Sequence, residues 1–392
     1  MQVAEFRRSP VGHLTPISGT DPATGHAFAH HAFVPSPLPA TVDLKPTTYK
    51  IISEADRALG VLHARVAQLP NPRLLVQPSL TREAVSTSAL EGTYAPLADV
   101  LEAQYRQAAD TSAEVKEVRN YIDAAFRGLA LIEKKPICLN VIAELQGILV
   151  KGTRGDTYDA GQLRERLVCI GDRGRGVEQA RFVPPPPGQL LVDGVSEWEK
   201  WINAEQEMPV LVKTALSHYQ FETLHPFSDG NGRIGRLAIT LQMIEERVLE
   251  HPVLNLSPWL EPRREDYIDH LLDTSKTGNF DPWVNFFARA VRAQANAAVT
   301  TVDKLIAFSN EVANKMKAAG ERSPALLNLA ANIIGYPVMT VTRVQHDLAV
   351  SYPTANSAIA KLVGAGYLRE ITGRTYGRLF LCDRVYDLLA DG

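Results

Sequence analysis

Apolar residues recur at the spacing of an α-helix along most of this chain. Between Val115 and Ile132 the apolar positions lie three and four residues apart, and the same spacing returns between Ile234 and Val248. Such spacing places the apolar side chains on one helix face that can pack against a core. Similar patterns predict further helices over residues 49–68, 80–90, 97–107, 140–150, 190–205 and 210–224, and a long connecting helix over 286–318. We therefore expect a mainly α fold.

Three stretches depart from this period. Residues 1–44 are rich in Pro, Gly, His and Ala, and we expect an arm that is draped over the surface or partly disordered. The segments RLVCIG and ARFVPP predict two short strands around a turn at 172–176. The four prolines at 184–187 remove backbone donors and fix φ, so they predict a stiff, extended connector.

The last seventy residues have a different organisation. Thr340 is placed to cap a helix over 341–349, a second helix follows Ser351, and two strands flank residues 373–377. These patterns divide the chain into an N-terminal arm (1–44), a helical region (45–108), a core (109–295), a linker helix (296–320) and a small C-terminal domain (321–392).

Composition narrows the class of protein. The formal net charge of −3 argues against wholesale binding to nucleic acid or to membrane surfaces. The three cysteines are far apart, which fits neither a disulfide framework nor a zinc site. The chain starts without a leader pattern and has no apolar run of membrane-spanning length, so we expect no membrane partner and a cytoplasmic location.

The chemistry concentrates in the stretch LHPFSDGNGRIGR at residues 224–236. His225 precedes a proline, which disfavours the right-handed helical region and should end the preceding helix there. The glycines of the loop allow a ligand to approach the backbone, and the loop leads into a helix start that favours an anion. Arg233 and Arg236 add two cations suited to phosphate oxygens. The expected ligand is a polyphosphate.

The remaining residues of this stretch suit phosphoryl or nucleotidyl transfer. Asp229 is the only carboxylate of the loop and could hold Mg²⁺ together with substrate phosphates, while His225 is the natural general base. The glycines also match the dinucleotide fingerprint G-x-G-x-x-G, but that pattern must follow a strand, and here it follows a helical segment. A plain helix–loop–helix turn, capped by Asp229 and Asn231, would explain each residue alone but not all of them together.

Residues 225–236 resemble the signature H-P-F-x-[D/E]-G-N-G-R-x-x-R of Fic domains at every fixed position, and the likeness extends over roughly residues 35–292. The resemblance implies a helical bundle with a small β-hairpin flap, and an enzyme that transfers AMP from ATP to a Ser, Thr or Tyr hydroxyl of a protein, with Mg²⁺. Targets would include the enzyme itself.

The same resemblance implies a role for each residue of the motif. His225 would deprotonate the target hydroxyl, Asp229 would hold Mg²⁺, and Arg233 and Arg236 would grip the phosphate tail. The anion pocket would be lined by Gly230, Asn231 and Gly232; the related Doc branch, which transfers phosphate, carries lysine at the position of Gly232. The flap, at about 168–183, would dock a target segment by strand addition. Tyr267 would border the adenine pocket, although relatives often have Tyr-Tyr where this chain has Tyr267-Ile268.

Glu91 occupies an awkward position. It lies in the last turn of a predicted helix that stops at Gly92, and there a negative charge opposes the helix dipole. Thr87, Glu91 and Gly92 match the pattern [S/T]-x-x-x-E-[G/N], which marks an inhibitory helix in Fic proteins. The resemblance implies that Glu91 pairs with Arg236 and restrains the enzyme; removal of AMP from targets is left open, and a solvated helix-end glutamate is the simpler alternative.

The C-terminal domain resembles a winged helix, whose second helix would enter a major groove. From Glu321 onward the chain carries seven basic and six acidic residues, so the usual electrostatic footprint of a DNA-binding domain is missing. DNA binding through 340–380 and a protein-docking or dimerising role, including a homodimer, are both open. The alternative function is a DNA-binding regulator whose Fic pocket senses nucleotide.

Overall fold

The computed structural model describes residues 1–21, 25–69, 71–103, 105, 111–171 and 176–391. The fold is mainly helical. Its helices are α1 (Val3–Phe6), α2 (Pro46–Ala67), α3 (Val76–Leu90), α4 (Leu97–Ala103), α5 (Ala113–Ile132), α6 (Leu139–Val150), α7 (Gln189–Asn203), α8 (Val210–Leu224), α9 (Asn231–Glu245), α10 (Ser257–Leu260), α11 (Arg264–Thr277), α12 (Asp281–Ala318), α13 (Pro324–Ala331), α14 (Val341–Asp347), α15 (Tyr352–Gly364) and α16 (Asp383–Asp391). Its strands are β1 (Gly12–Thr20), β2 (Ala27–Pro35), β3 (Val338–Met339), β4 (Arg369–Glu370) and β5 (Phe380–Leu381).

A helix is present at each predicted position, although several ends differ by a few residues. Helix α5 begins one residue after Ser112, whose side chain accepts a hydrogen bond from the backbone N–H of Val115 at 3.2 Å. Helix α3 starts four residues before the predicted Leu80. Helix α4 ends at Ala103. Residues 104, 106 and 107 of the helix predicted over 97–107 lie outside the described residues.

Helices α8 and α9 join two hydrophobic cores. The first turns of α8 pack with α2 and α12, through residues such as Leu216 and Tyr219. Its last turn, with Phe221 and Leu224, packs with α5, α6 and α7. Because α9 also contributes to both cores, the loop between α8 and α9 is held from two sides.

The expectation of an irregular arm over residues 1–44 was wrong for the described part. Strands β1 and β2 form an antiparallel hairpin whose register runs from Gly12 opposite Pro35 to Thr20 opposite Ala27. The rings of Phe6, Phe33 and Phe182 pack with centroids 5.4–5.9 Å apart. The hairpin is thus stabilised by a distant segment, which a local pattern cannot reveal.

The predicted flap strands were also wrong in extent. Within the described residues of the flap, only one bridge, Ile170 to Phe182, connects its two sides, and a short 3₁₀ turn covers Val177–Gln179. The predicted turn at 172–176 lies outside the described residues except for Gly176. The N-terminal hairpin region also holds the flap in place. Phe33 N–H donates to Val183 O at 2.9 Å, and Val177 N–H donates to the Asp21 carboxylate at 2.6 Å.

The segment expected to act as a linker helix continues the 38-residue α12 and packs against α2, with Val302 and Leu305 buried. Beyond it, α14 and α15 pack together beside a three-stranded antiparallel sheet of order β3-β5-β4. We call residues 321–391 the C-terminal module; its identity as a winged helix stays a prediction. Within the described residues, no helix is both long and apolar enough to span a bilayer.

Candidate functional site

The backbone at His225 is strained. Helix α8 ends at Leu224, as expected, and His225 caps it with φ 48° and ψ 60°, in the left-handed region. Its N–H donates to Phe221 O at 2.9 Å, and its carbonyl accepts from Arg164 Nε at 2.8 Å. Such a conformation costs about 1–3 kcal/mol for a non-glycine residue and persists only where surrounding contacts enforce it. The direction in which the His225 side chain leaves the backbone is therefore fixed.

The His225 ring is poised as a neutral base. Its Nδ1 atom is buried and has no hydrogen-bond partner among the described residues. Burial, assisted by the Arg164 charge, lowers the pKa of His225 to about 4, although Glu91 and Asp229 oppose the shift. The ring is consequently uncharged at neutral pH and can accept a proton.

The loop after His225 is closed by its own asparagine. Asn231 is buried; its Oδ1 accepts from Phe227 N–H at 2.9 Å and its Nδ2 donates to Phe227 O at 2.7 Å. Gly230 supports the turn with φ 81°, and α9 begins at Asn231. The Asn231 side chain thus shapes the loop. Its expected contribution to an anion pocket would come from the backbone.

Arg233 does not face a ligand space in this structure. Its guanidinium is buried and donates to Glu117 at 3.1 Å and to Asp229 Oδ1 at 3.3 Å. The sequence suggested a phosphate contact for Arg233 and gave no sign of Glu117, which lies 116 residues away. The Asp229 carboxylate, one third exposed, has its second oxygen beside Gly155, where a Cβ would come within 2.9 Å.

Arg236 is buried against the end of helix α3. Its Nε donates to Thr87 Oγ1 at 2.6 Å, and its Nη2 donates to Glu91 Oε1 at 2.6 Å and to the Thr87 carbonyl at 3.1 Å. Burial alone would raise the pKa of Glu91, but the charge and hydrogen bond of Arg236 outweigh it and lower that pKa. Burial opposes the charge of Arg236 as well, yet Glu91 raises its pKa overall. Both groups are therefore ionised at neutral pH.

Two glycines make this contact possible. Gly92 has φ 83° and follows the helix end, so the chain can turn away directly after Glu91. At Gly232 an added Cβ would lie 2.1 Å from Glu91 Oε1, closer than any real contact. Glu91 therefore reaches the start of α9 only because residue 232 has no side chain.

A cavity of about 140 Å³ opens beside these residues. His225, Gly232, Arg236 and Glu91 line one end. The other wall is apolar and is formed by Ile170, Phe182, Ile268, Leu271 and Leu272. The residues that line this cavity do not include Asp229, Gly230, Asn231 or Arg233. Arg181 spans from the flap to α11, where it pairs with Glu265 and Asp269.

Tyr267 also lines the cavity, and its hydroxyl lies 2.8 Å from His218 Nε2. Burial, together with the Arg236 charge, lowers the pKa of His218 to about 3, and burial raises the pKa of Tyr267. His218 lies under Tyr267 and Trp283, with ring centroids 6.0 Å away in each case. His218 is thus a buried, uncharged side chain that packs beneath Tyr267 and Trp283.

Sequence reasoning missed Glu222, which lies one turn before His225 and lines the cavity. Its Oε1 atom is buried and has no hydrogen-bond partner among the described residues. Burial, with the nearby negative charge of Glu91, raises the pKa of Glu222 to about 7 against the opposing charge of Arg236. Its position three residues before His225, on the same helix face, was the signal available.

Comparisons with known proteins point to one family. Residues 49–130 match the model described as the Fic/DOC family N-terminal region, and residues 136–243 match that of the Fic/DOC family. The "Protein adenylyltransferase Fic" of Culex quinquefasciatus is 33% identical over 135 residues, which cover 34% of this chain and 24% of that protein. Its namesake from Drosophila grimshawi is 29% identical over 170 residues, covering 43% and 30%. The matches thus span less than a third of these relatives.

Solved structures share the fold. A Fic family protein from Desulfovibrio desulfuricans G20 superposes with a TM-score of 0.58 at 20% identity, covering 88% of this chain and 98% of that one. Fic-1 from C. elegans superposes with a TM-score of 0.50 at 21% identity, covering 70% and 75%. At these identities the likeness establishes the architecture alone.

Proposed function

Because the chain belongs to the Fic/DOC family, we propose that it is a protein adenylyltransferase that transfers AMP from ATP to a Ser, Thr or Tyr hydroxyl of a protein. One observation carries the proposal. A neutral His225 and a buried cation, Arg236, line the same cavity at the start of α9. A base for a hydroxyl and an anchor for phosphates are the two groups that this reaction requires.

The transfer follows from these positions. The His225 ring accepts the proton of the target hydroxyl while the hydroxyl oxygen forms a bond to the α-phosphorus. The bond between that phosphorus and the bridging oxygen breaks, and pyrophosphate leaves with the electron pair. Backbone N–H groups at the start of α9 and the guanidinium of Arg236 stabilise the charge on the phosphates.

Magnesium fits the one carboxylate that this loop provides. Asp229 offers a hard oxygen donor, and Mg²⁺ is commonly bound by one or two carboxylates together with substrate phosphates. When bound there, the ion would neutralise charge on the β- and γ-phosphates. Asp229 would hold it, and Arg233 would orient Asp229 through the 3.3 Å contact.

We further propose that Glu91 restrains the enzyme. ATP needs Arg236 for its terminal phosphate, and in this structure Glu91 and Thr87 occupy that guanidinium. ATP can then bind only with its phosphates displaced from the reactive position. The same carboxylate could orient a water molecule toward a modified hydroxyl. Removal of AMP from a modified target protein should therefore be measured together with AMP transfer.

The test uses the Glu91→Gly variant with ATP labelled in either the α- or the γ-phosphate. We expect the α-label alone to become attached to protein, first to the enzyme itself and then to targets in a lysate. Adding His225→Ala to the same variant should abolish the labelling. Transfer of the γ-label, or labelling that survives His225→Ala, would disprove the proposal.

The alternative, a DNA-binding regulator, has less support. Part of the C-terminal module's positive charge is already neutralised by nearby carboxylates. The pairs are Arg343 with Asp347, Lys361 with Glu321, and Arg369 with Asp383. Should the module bind DNA, a mobility shift would persist in His225→Ala, because that substitution lies outside the module.

A further inference from the structure

A polar stripe runs along helix α3. Ser79, Glu83, Thr87 and Glu91 are spaced four residues apart, which places them on one slowly winding face. Ser79, Glu83 and Thr87 are buried. A buried helix face is normally apolar, so a row of four polar side chains requires partners on the facing elements.

Each member of the stripe bonds to a different element from its own. Ser79 Oγ donates to Asn255 Oδ1 at 3.0 Å. Glu83 accepts from the hydroxyl of Ser257 and, at 3.2 Å, from the Ser257 backbone N–H. Thr87 and Glu91 both accept from Arg236. The stripe thus fastens α3 to the segment at 255–257 and to helix α9 at the same time.

We propose that Glu83 is the positioning residue of the inhibitory helix, and that its bonds to Ser257 set the register in which Glu91 meets Arg236. This rests on the proposed function. The apolar contacts of α3, such as those of Leu80 and Ala84, tolerate small slides of the helix. The hydrogen bonds between Glu83 and Ser257 are directional and do not tolerate such a slide. A shift of one residue advances the helix by about 1.5 Å and rotates it by about 100°, which would break these bonds.

The chemistry of Glu83 fits a register role. A buried carboxylate is costly, and an apolar residue of similar volume would pack a helix at least as well. Glu83 and Arg236 also line a second, small cavity together, of about 10 Å³. Of the two glutamates Glu83 and Glu91, only Glu91 forms an ion pair with Arg236.

The experiment compares AMP transfer from α-labelled ATP by Glu83→Ala, Glu91→Gly and the double variant. Loss of both hydrogen bonds from Ser257 to the buried Glu83 carboxyl weakens the register, and we expect Glu83→Ala to transfer about tenfold faster than the wild type. Because Glu83 acts through Glu91, the double variant should be no faster than Glu91→Gly. Melting temperatures of all variants report whether each is folded.

Two matched variants sharpen the result. Thr81→Ala removes a buried hydroxyl whose bond, to Gln77 O at 2.8 Å, stays within α3, and it should leave the transfer rate unchanged. Ser257→Ala removes the hydroxyl partner of Glu83 without altering α3, and it should raise the rate about threefold. Ser257→Ala decides the matter if Glu83→Ala does not fold.

Three results would overturn the inference. The first is that Glu83→Ala folds but transfers AMP at the wild-type rate; if Glu83→Ala does not fold, the same result for Ser257→Ala counts. The second is that the double variant transfers AMP faster than Glu91→Gly, and the third is that Thr81→Ala gains as much rate as Glu83→Ala, which would indicate general loosening of α3. If Glu91→Gly itself transfers no AMP, the proposed function fails instead, and the two failures are distinguishable.

Discussion

Replacing Glu222 by glutamine should stabilise the protein above about pH 7 and have little effect near pH 4. Only 13% of the Glu222 side chain is exposed. Burial raises the pKa of its carboxyl group from 4.5 to about 7. The folded protein therefore keeps this proton up to about pH 7, whereas the unfolded chain releases it near pH 4.5. The unfolded state binds fewer protons in that interval, so stability falls as pH rises through it.

The size of the effect follows from the shift. A pKa difference of about 2.5 corresponds to about 3 kcal/mol, which the wild type loses between about pH 4.5 and 7.5. Glutamine does not ionise and avoids this loss. The difference in unfolding free energy between variant and wild type should therefore grow from near zero at about pH 4 to about 3 kcal/mol at about pH 8.

Urea unfolding at several pH values measures this difference. Tryptophan fluorescence is a suitable signal because Trp283 is buried in the same core and stacks on His218. Subtracting the wild-type curve removes the contributions of all other titrating groups. Glu197→Gln, at an exposed position paired with Lys200, is the matched control and should give a flat difference. A flat difference for Glu222→Gln, or a loss of stability at pH 8, would refute the reasoning.

Other substitutions test neighbouring features. Glu91→Gln should transfer AMP at a rate between those of the wild type and Glu91→Gly, because the amide oxygen keeps one bond to the guanidinium but loses the charge attraction; the α-label assay ranks the three. Arg181→Ala should loosen the flap, seen as faster amide hydrogen exchange at Ile170 and Phe182, since the ion pairs of Arg181 with Glu265 and Asp269 join the flap to α11. Phe33→Ala should destabilise the protein by about 3–5 kcal/mol in urea unfolding. The His225 ring should show no NMR titration between pH 6 and 8, because its pKa is lowered to about 4.

The helices and the motif loop could be predicted because their signals are local. Helix α5 carries its apolar stripe and its cap within twenty-one residues, and His225 ends α8 because a proline follows. The left-handed backbone of His225 was not predictable, since proline only excludes the right-handed region. That conformation depends on distant contacts such as the one with Arg164.

The features that the sequence did not reveal have a common physical origin in long-range partners. The buried ion pair of Arg233 with Glu117 of helix α5 leaves no local signal in the sequence. Strand β2 has little local preference for a hairpin, and its residue Phe33 is ordered by Phe182. In each case the deciding contact joins residues more than a hundred positions apart.

The close approach at residue 232 has a wider consequence. A side chain there and a closed Glu91 contact are mutually exclusive, since the first carbon atom of any side chain would overlap the carboxylate at 2.1 Å. Any substitution of Gly232 would displace the Glu91 carboxylate and at the same time crowd the Arg236 guanidinium, 3.0 Å from the added carbon. If Glu91 restrains the enzyme as proposed, a side chain at residue 232 would weaken the restraint and narrow the space for phosphates in the same step.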